Sequence, residues 1–120
     1  MQLILYGISN CNSVKKARAY LDQQPISYTF YDYKKQGISQ ALLLNWLDQV
    51  SYEKLINRSG LTWRGLDDAT KLGLQDNISA IALMCCKTSV IKRPILEKNG
   101  KIISIGFDAA LYSSLCQQSL

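Results

Sequence analysis

Cys11 stands where a cysteine can acquire chemistry. It closes the segment Leu3-Ile4-Leu5-Tyr6-Gly7-Ile8-Ser9-Asn10-Cys11, an apolar strand pattern running into a polar turn. Val14-Lys15-Lys16-Ala17-Arg18-Ala19-Tyr20-Leu21 follows at once with helix-like composition. A thiol at a strand-to-helix turn faces the unpaired amides and positive end of the helix, which favour thiolate. A free thiol of pKa near 8.5 is only about 3% thiolate at pH 7, and lowering it to roughly 6.5 makes most of it nucleophilic. Lys15 and Lys16 stand in a first turn where acidic groups are the usual choice, and they add to the same field. The competing reading of this pattern is a small buried thiol with two solvated lysines beside it.

What is missing narrows the chemistry further. The chain contains no histidine, so Cys-His and Ser-His pairs, histidine metal sites and the commonest general base are excluded. Thiol activation must then come from cations and backbone amides. The four cysteines, Cys11, Cys85, Cys86 and Cys116, form no CxxC pair and no zinc spacing, so no metal site is expected. Cys85 and Cys86 lie in the most apolar stretch and read as core; Cys116 is a weak candidate for a resolving thiol. The start lacks a signal peptide's basic region and cleavage site, and no apolar run approaches the roughly 20 residues that cross a bilayer. A cytoplasmic protein with reduced thiols and no membrane partner is the expectation. Net charge is +5, but the cations are scattered, and the densest cluster, Lys15-Lys16-Ala17-Arg18, falls beside the thiol. Small anionic or zwitterionic ligands fit that distribution better than nucleic acid.

The elements that must position Cys11 follow from periodicity. A first helix over residues 12–23 carries Val14, Ala17 and Leu21 on one face and ends near Gln24-Pro25. Ser27-Tyr28-Thr29-Phe30-Tyr31 reads as the second strand, and Lys34-Lys35-Gln36-Gly37 as a loop. Ser39 and Ser51 can cap two helices, the first bearing Leu42, Leu43, Trp46 and Leu47, the second Leu55 and Ile56. Residues 59–65 read as an irregular connection, 66–74 as a weak helix, and 78–86 as a helix apolar nearly all round and therefore buried. Asn99-Gly100 joins the arms of a hairpin, Ile95–Lys98 and Lys101–Ile105, and Asp108 opens a last helix.

The order is β-α-β, helices, then β-β-α. A crossover helix pairs the first two strands in parallel, and the hairpin adds two antiparallel strands. The predicted fold is α/β: a thioredoxin-like four-stranded mixed sheet in a single domain, 1–120, with an inserted helical subdomain at about 38–88. In that layout the turn after the first strand meets the loop before the hairpin. Arg93-Pro94 stands in that loop, and the proline suggests a cis bond beside the thiol. Arg93 could otherwise be a plain surface cation, Arg58 a cap on the preceding helix, and Lys15 a solvated side chain. Ser9, Asn10 and Asn12 shape the turn, and their amides could cradle an anion. Trp63 and Arg64 suit either a groove or simple packing.

Four segments together resemble the arsenate reductase (ArsC)/Spx/YffB family, nearest its YffB-type branch. They are Tyr6-Gly7-Ile8-Ser9-Asn10-Cys11 with Lys15-Lys16-Ala17, Ile56-Asn57-Arg58-Ser59-Gly60, Ser89-Val90-Ile91-Lys92-Arg93-Pro94, and Ile105-Gly106-Phe107. The resemblance implies that Cys11 is the nucleophile. It also implies that Arg58 and Arg93 are two of three oxyanion-binding arginines. The third follows the hairpin in arsenate reductases, where this chain has Gly106-Phe107-Asp108 and no cation. The CxxC switch of the Spx branch is absent too, since position 14 is Val. The implied activity is a glutathione-dependent thiol reductase with weak or no arsenate reduction. Cys11 and Arg93 are then catalytic, and Asn10, Asn12, Lys15, Arg58, Arg93 and Pro94 bind substrate. No bound cofactor is implied; glutathione is the co-substrate, and glutathione or a glutaredoxin releases the adduct. The alternative is a non-catalytic, Spx-like regulator binding RNA polymerase or another protein.

Overall fold

A computed structural model describes residues 2–24 and 26–118, with side chains through Leu115. Its elements are β1 (Leu3–Gly7), α1 (Asn12–Gln23), β2 (Thr29–Asp32), α2 (Tyr33–Gln36), α3 (Gln40–Leu47), α4 (Tyr52–Leu55), α5 (Leu61–Arg64), α6 (Asp68–Leu72), α7 (Asn77–Cys86), β3 (Ile95–Lys98), β4 (Lys101–Ile105) and α8 (Ala109–Gln118). A 3-10 turn, Thr88–Val90, precedes β3. Two compact units divide the chain: Met1–Lys35 with Arg93–Leu120, and Gln36–Lys92.

The first unit is built on a sheet of order β2-β1-β3-β4, parallel between β1 and β2 and antiparallel elsewhere. Period-2 alternation sends Leu3 and Leu5 of β1 and Leu96 of β3 to one face. There they meet Ala17 and Leu21 of α1 and Tyr112 and Leu115 of α8, all nearly or fully buried. Each such leucine is worth about 1.5–3 kcal/mol of burial. The expected inner face of α1, Val14, Ala17 and Leu21, is fully buried. On the other face, Tyr6 stacks on Tyr31 with ring centroids 5.3 Å apart. Burial, then the nearby Glu97 carboxylate, push the Tyr6 hydroxyl up to about 12. The hairpin turn is as the sequence suggests, with Asn99 at φ 52° and Gly100 at φ 83°, the twist that antiparallel strands need. Asp108 receives the Ala110 and Leu111 amides at the start of α8.

The second unit is helical. Ser39 accepts from the Leu42 amide and Ser51 from the Glu53 amide, so both expected caps are in place. Asp76 and Ser79 form a reciprocal capping box on α7. An antiparallel bridge between Ile56 and Ile91 ties the middle of the unit to its end. It is reinforced by Asn57 N–H to Val90 O at 2.8 Å and Lys92 N–H to Leu55 O at 2.7 Å.

Four expectations need correction. The second strand is Thr29–Asp32, shifted two residues from 27–31 at its start. Lys34–Gln36, expected with Gly37 as a loop, belong to the helical turn Tyr33–Gln36, because the Asp32 side chain caps it. The connection at 59–65 contains the helical turn Leu61–Arg64. Cys85 and Cys86 are exposed and do not belong to the core. In α7 the helical period puts Ala80, Ile81, Leu83 and Met84 on the buried stripe. Ile78, Ala82, Cys85 and Cys86 fall on the opposite, exposed stripe. Pro25 and the Cys116 side chain, which figured in the sequence reading, lie outside the described residues.

Candidate active site

Cys11 occupies the N-cap of α1, with extended backbone (φ −142°, ψ 127°), and its carbonyl accepts the first helical bond from Lys15 N–H at 2.9 Å. The N-cap side chain is the one that faces the free amides of the second and third helical residues, here Ser13 and Val14. Those amides close no capping hydrogen bond of standard geometry on the sulfur, so they act on it as oriented N–H dipoles. Partial burial pushes the thiol pKa up. The Val14 amide, a hydrogen bond from the Arg93 guanidinium, the Ser13 amide and the Arg93 charge together outweigh it and hold Cys11 below the ordinary thiol value. The cation acting on the sulfur is Arg93; Lys15 and Lys16 are exposed on the first turns of α1.

Arg93 is held by the strand that follows it. The Arg93–Pro94 peptide is cis, and Pro94 is buried. Its carbonyl accepts from Gly106 N–H at 2.7 Å. Gly106 sits at φ 85°, a conformation glycine adopts without penalty, and its carbonyl accepts from the Ser104 hydroxyl at 2.7 Å. The end of β4 thus fastens the loop that carries Arg93. The Arg93 guanidinium also donates to the hydroxyl of Tyr33, a side chain with no exposed surface. Burial drives that hydroxyl's pKa well above the usual tyrosine value. The charge and hydrogen bond of Arg93 oppose the rise, and Cys11 and Asp32 add to it, so Tyr33 stays neutral.

Asp32 lies beneath the turn that delivers the thiol. Its carboxylate is 6% exposed and receives four donors. The Ser9 hydroxyl (2.7 Å) and Ser9 amide (3.3 Å) bind one oxygen; the Lys34 (3.0 Å) and Lys35 (3.1 Å) amides bind the other. Burial raises its pKa, but the Ser9 hydroxyl and the three amides prevail and hold the carboxyl below the usual range. Sequence reasoning missed both Asp32 and Tyr33. The available signal was an Asp at a strand end ahead of Tyr33-Lys34-Lys35, a pattern suited to N-capping.

The site residues expected from sequence divide between the units. Cys11, Asn10, Asn12, Lys15, Arg93 and Pro94 belong to the first, where the structure joins Cys11 to Arg93; Asn10, Asn12 and Lys15 are exposed. Arg58 belongs to the second. There its guanidinium lies 3.9 Å from Glu53 and 5.1 Å from the Trp63 ring centroid. An exposed ion pair of that length contributes little to stability. After the hairpin, Phe107 packs on Tyr112 (5.0 Å between centroids) and Tyr20 (6.0 Å), so an aromatic cluster occupies the segment where a third arginine was sought. Among the described residues no group of three or more His, Cys, Asp or Glu could hold a metal ion, and no helix is long and apolar enough to cross a membrane. The arrangement can supply a nucleophilic sulfur and a fixed guanidinium beside it for an anionic reaction partner.

Comparison with known proteins agrees with the fold. The model of the ArsC family matches residues 6–115. An uncharacterized protein of Haemophilus influenzae is 34% identical over 112 residues, 93% of this chain and 96% of that protein. Among solved structures, one named YFFB protein is 40% identical with a TM-score of 0.87, covering 94% of this chain and 97% of its own. An arsenate reductase (ArsC) related protein from Brucella melitensis is 42% identical with a TM-score of 0.75, covering 95% and 93%.

Proposed function

Because this chain belongs to the ArsC family, a family of thioredoxin-like thiol oxidoreductases, we propose that it is a glutathione-dependent thiol reductase with Cys11 as nucleophile and little or no arsenate reductase activity. The observation that carries this reading is the N-cap thiol of Cys11, held below the ordinary thiol pKa by two helix amides and by Arg93. Thiolate at neutral pH is what disulfide exchange requires.

The steps balance without a metal or a bound organic group. Cys11 thiolate attacks one sulfur of a disulfide substrate; the S–S bond breaks, and the departing thiolate takes a proton from water. The product on the protein is a mixed disulfide at Cys11. A glutathione thiolate then attacks the Cys11 sulfur; the substrate thiolate leaves and Cys11 carries glutathione, and a second glutathione thiolate attacks that glutathione's sulfur, so that glutathione disulfide departs and Cys11 thiolate returns. Arg93 stabilises the thiolate in both its attacking and leaving roles and offers its charge to a carboxylate of the incoming peptide.

One feature favours an external thiol over an internal one: position 14, where a CxxC partner would stand, is a valine with no exposed surface. Arsenate reduction is disfavoured because Phe107 is engaged in an aromatic cluster and contributes no charge. A guanidinium–oxyanion contact is worth about 1.5–3 kcal/mol, so its loss costs roughly 10- to 150-fold. The test is mild oxidation with glutathione disulfide followed by peptide mapping. The expected product is glutathione on Cys11. A bond from Cys11 to Cys116 or Cys86 would overturn the external-thiol mechanism.

A further inference from the structure

Ser9 and Asp32 lie outside the chemistry just described, yet they touch both halves of its geometry. Ser9 sits two residues before Cys11 in the turn leaving β1, and its amide and hydroxyl both end on Asp32 Oδ2. Asp32 Oδ1 collects the Lys34 and Lys35 amides and so starts α2. The first residue of α2 is Tyr33, which is buried and hydrogen-bonded to the Arg93 guanidinium. In the parallel pairing of β1 and β2, Asp32 stands opposite Gly7, so its side chain is presented at the strand ends where the thiol turn begins.

We propose that Asp32 is a positioning residue whose two carboxylate oxygens lock the Cys11 turn, through Ser9, to the Tyr33–Arg93 pair that faces the thiol. The proposal rests on the reading of Cys11 as nucleophile and adds the device that keeps the sulfur aligned with its activating donors. A buried carboxylate with four donors is rigid: each donor that lost it would be left without its charged acceptor, which costs more than an ordinary hydrogen bond. In the four-residue turn between β1 and α1, Ser9 is fastened to Asp32 by both its amide and its hydroxyl. Freed from them, the turn would let Cys11 drift from the Val14 and Ser13 amides and from Arg93, and sulfur–donor alignment falls off steeply with angle.

The charge of Asp32 acts in the opposite sense to its positioning role, and that difference makes a test. A carboxylate near a thiol disfavours thiolate, so removing its charge alone would ease ionisation of Cys11. Removing the clamp should hinder it. Asp32→Asn keeps an oxygen for the α2 amides but cannot accept from both them and the Ser9 amide, so it releases the Ser9 arm. Among the described residues Arg93 acts on the sulfur, and Tyr33 is coupled to Arg93, Cys11 and Asp32; of these only Asp32 is altered.

The experiment measures the iodoacetamide rate of Cys11 against pH in the full chain for the parent, Ser9→Ala, Ser9→Thr and Asp32→Asn, with thermal melts alongside. Ser9→Ala is expected to raise the midpoint by about one pH unit and slow the reaction about tenfold on the acid side, since one unit is a tenfold change in thiolate. Ser9→Thr, which keeps the hydroxyl, is expected to restore the parent profile. Asp32→Asn is expected to raise the midpoint as well. A midpoint unchanged in Ser9→Ala, or lowered in Asp32→Asn, overturns the positioning role. Ser9→Ala removes only a partly buried hydroxyl, so it keeps the test available even if Asp32→Asn does not fold. Should the parent itself show Cys11 reacting no faster than Cys85, the nucleophile reading fails first, and that outcome is read from the parent alone.

Discussion

Gly7→Ala is the change that tests how the thiol turn is built. A Cβ added at Gly7 would lie 2.7 Å from Val14 Cγ2 and 3.3 Å from Cγ1. Carbon atoms in contact prefer about 3.5–4.0 Å, so the nearer pair falls short by roughly 0.8 Å. Val14 cannot simply swing away, because a β-branched side chain in a helix keeps essentially one rotamer and this one has no exposed surface. The strain is then relieved by moving the start of α1 off β1. Overpacking of this kind costs about 1–3 kcal/mol, less about 0.4–1 kcal/mol gained because alanine restricts the unfolded chain more than glycine. The expected net loss is about 0–2.6 kcal/mol, near 1 kcal/mol at mid-range. Val14 also supplies the first amide to the sulfur, so Cys11 alkylation should slow together with the loss of stability. Urea unfolding measures the first effect and an alkylation time course at pH 7 the second. Val14→Ala in the same chain makes room for the new methyl, so a double-mutant cycle should show favourable coupling of about 1 kcal/mol. A Gly7→Ala protein as stable and as reactive as the parent, with an additive cycle, would refute the close strand–helix approach as the fixture of the thiol.

Three further outcomes follow from the same structure. Tyr112 has a buried hydroxyl that meets no partner among the described residues, so Tyr112→Phe should leave stability unchanged or raise it by about 1 kcal/mol, read from the urea midpoint; a loss would reveal a partner for that hydroxyl. Gly100→Ala meets no atom within 4 Å but must hold φ at 83°, so it should cost about 1–2 kcal/mol through backbone strain alone, with Cys11 reactivity unaffected. Because the folded pKa of Cys11 lies below that of the free thiol, the folded state binds fewer protons between the two values, and stability rises with pH across that window. The contribution is complete above the free-thiol value and is lost as pH falls through the folded one. Cys11→Ser should flatten that part of the stability–pH curve, and an unchanged slope would place the titration elsewhere.

Much of the scaffold was legible because local chemistry decided it. Asn99-Gly100 demanded a tight hairpin, Ser39 and Ser51 announced helix starts, and Val14, Ala17 and Leu21 fixed the inner face of α1. Cys11 and Arg93 were legible through the meeting of two loops that the strand order requires. What stayed hidden depended on side chains reaching across the sequence. Residues 34–37 look like a polar loop until Asp32 turns back to cap the helical turn Tyr33–Gln36, and nothing local reports that the same carboxylate binds Ser9, 23 residues away. Tyr33 lies between the expected strand and the expected loop, and only the placement of Arg93 gives its hydroxyl a role. In α7 every position from Ile78 to Cys86 except Ser79 is apolar, so no stripe could be picked out, and tertiary packing chose which half to cover.

The central claim is that Cys11 is the nucleophile, held partly as thiolate by helix amides and Arg93. Its most direct test is the pH dependence of iodoacetamide labelling, followed by mass spectrometry at Cys11, Cys85 and Cys86 in the parent and in Arg93→Ala. The account predicts that Cys11 reaches half its maximal rate below the ordinary thiol value. It should outpace both exposed thiols of α7 at pH 7 and lose that advantage in Arg93→Ala. A Cys11 profile that coincides with those of Cys85 and Cys86, unchanged by Arg93→Ala, would contradict it.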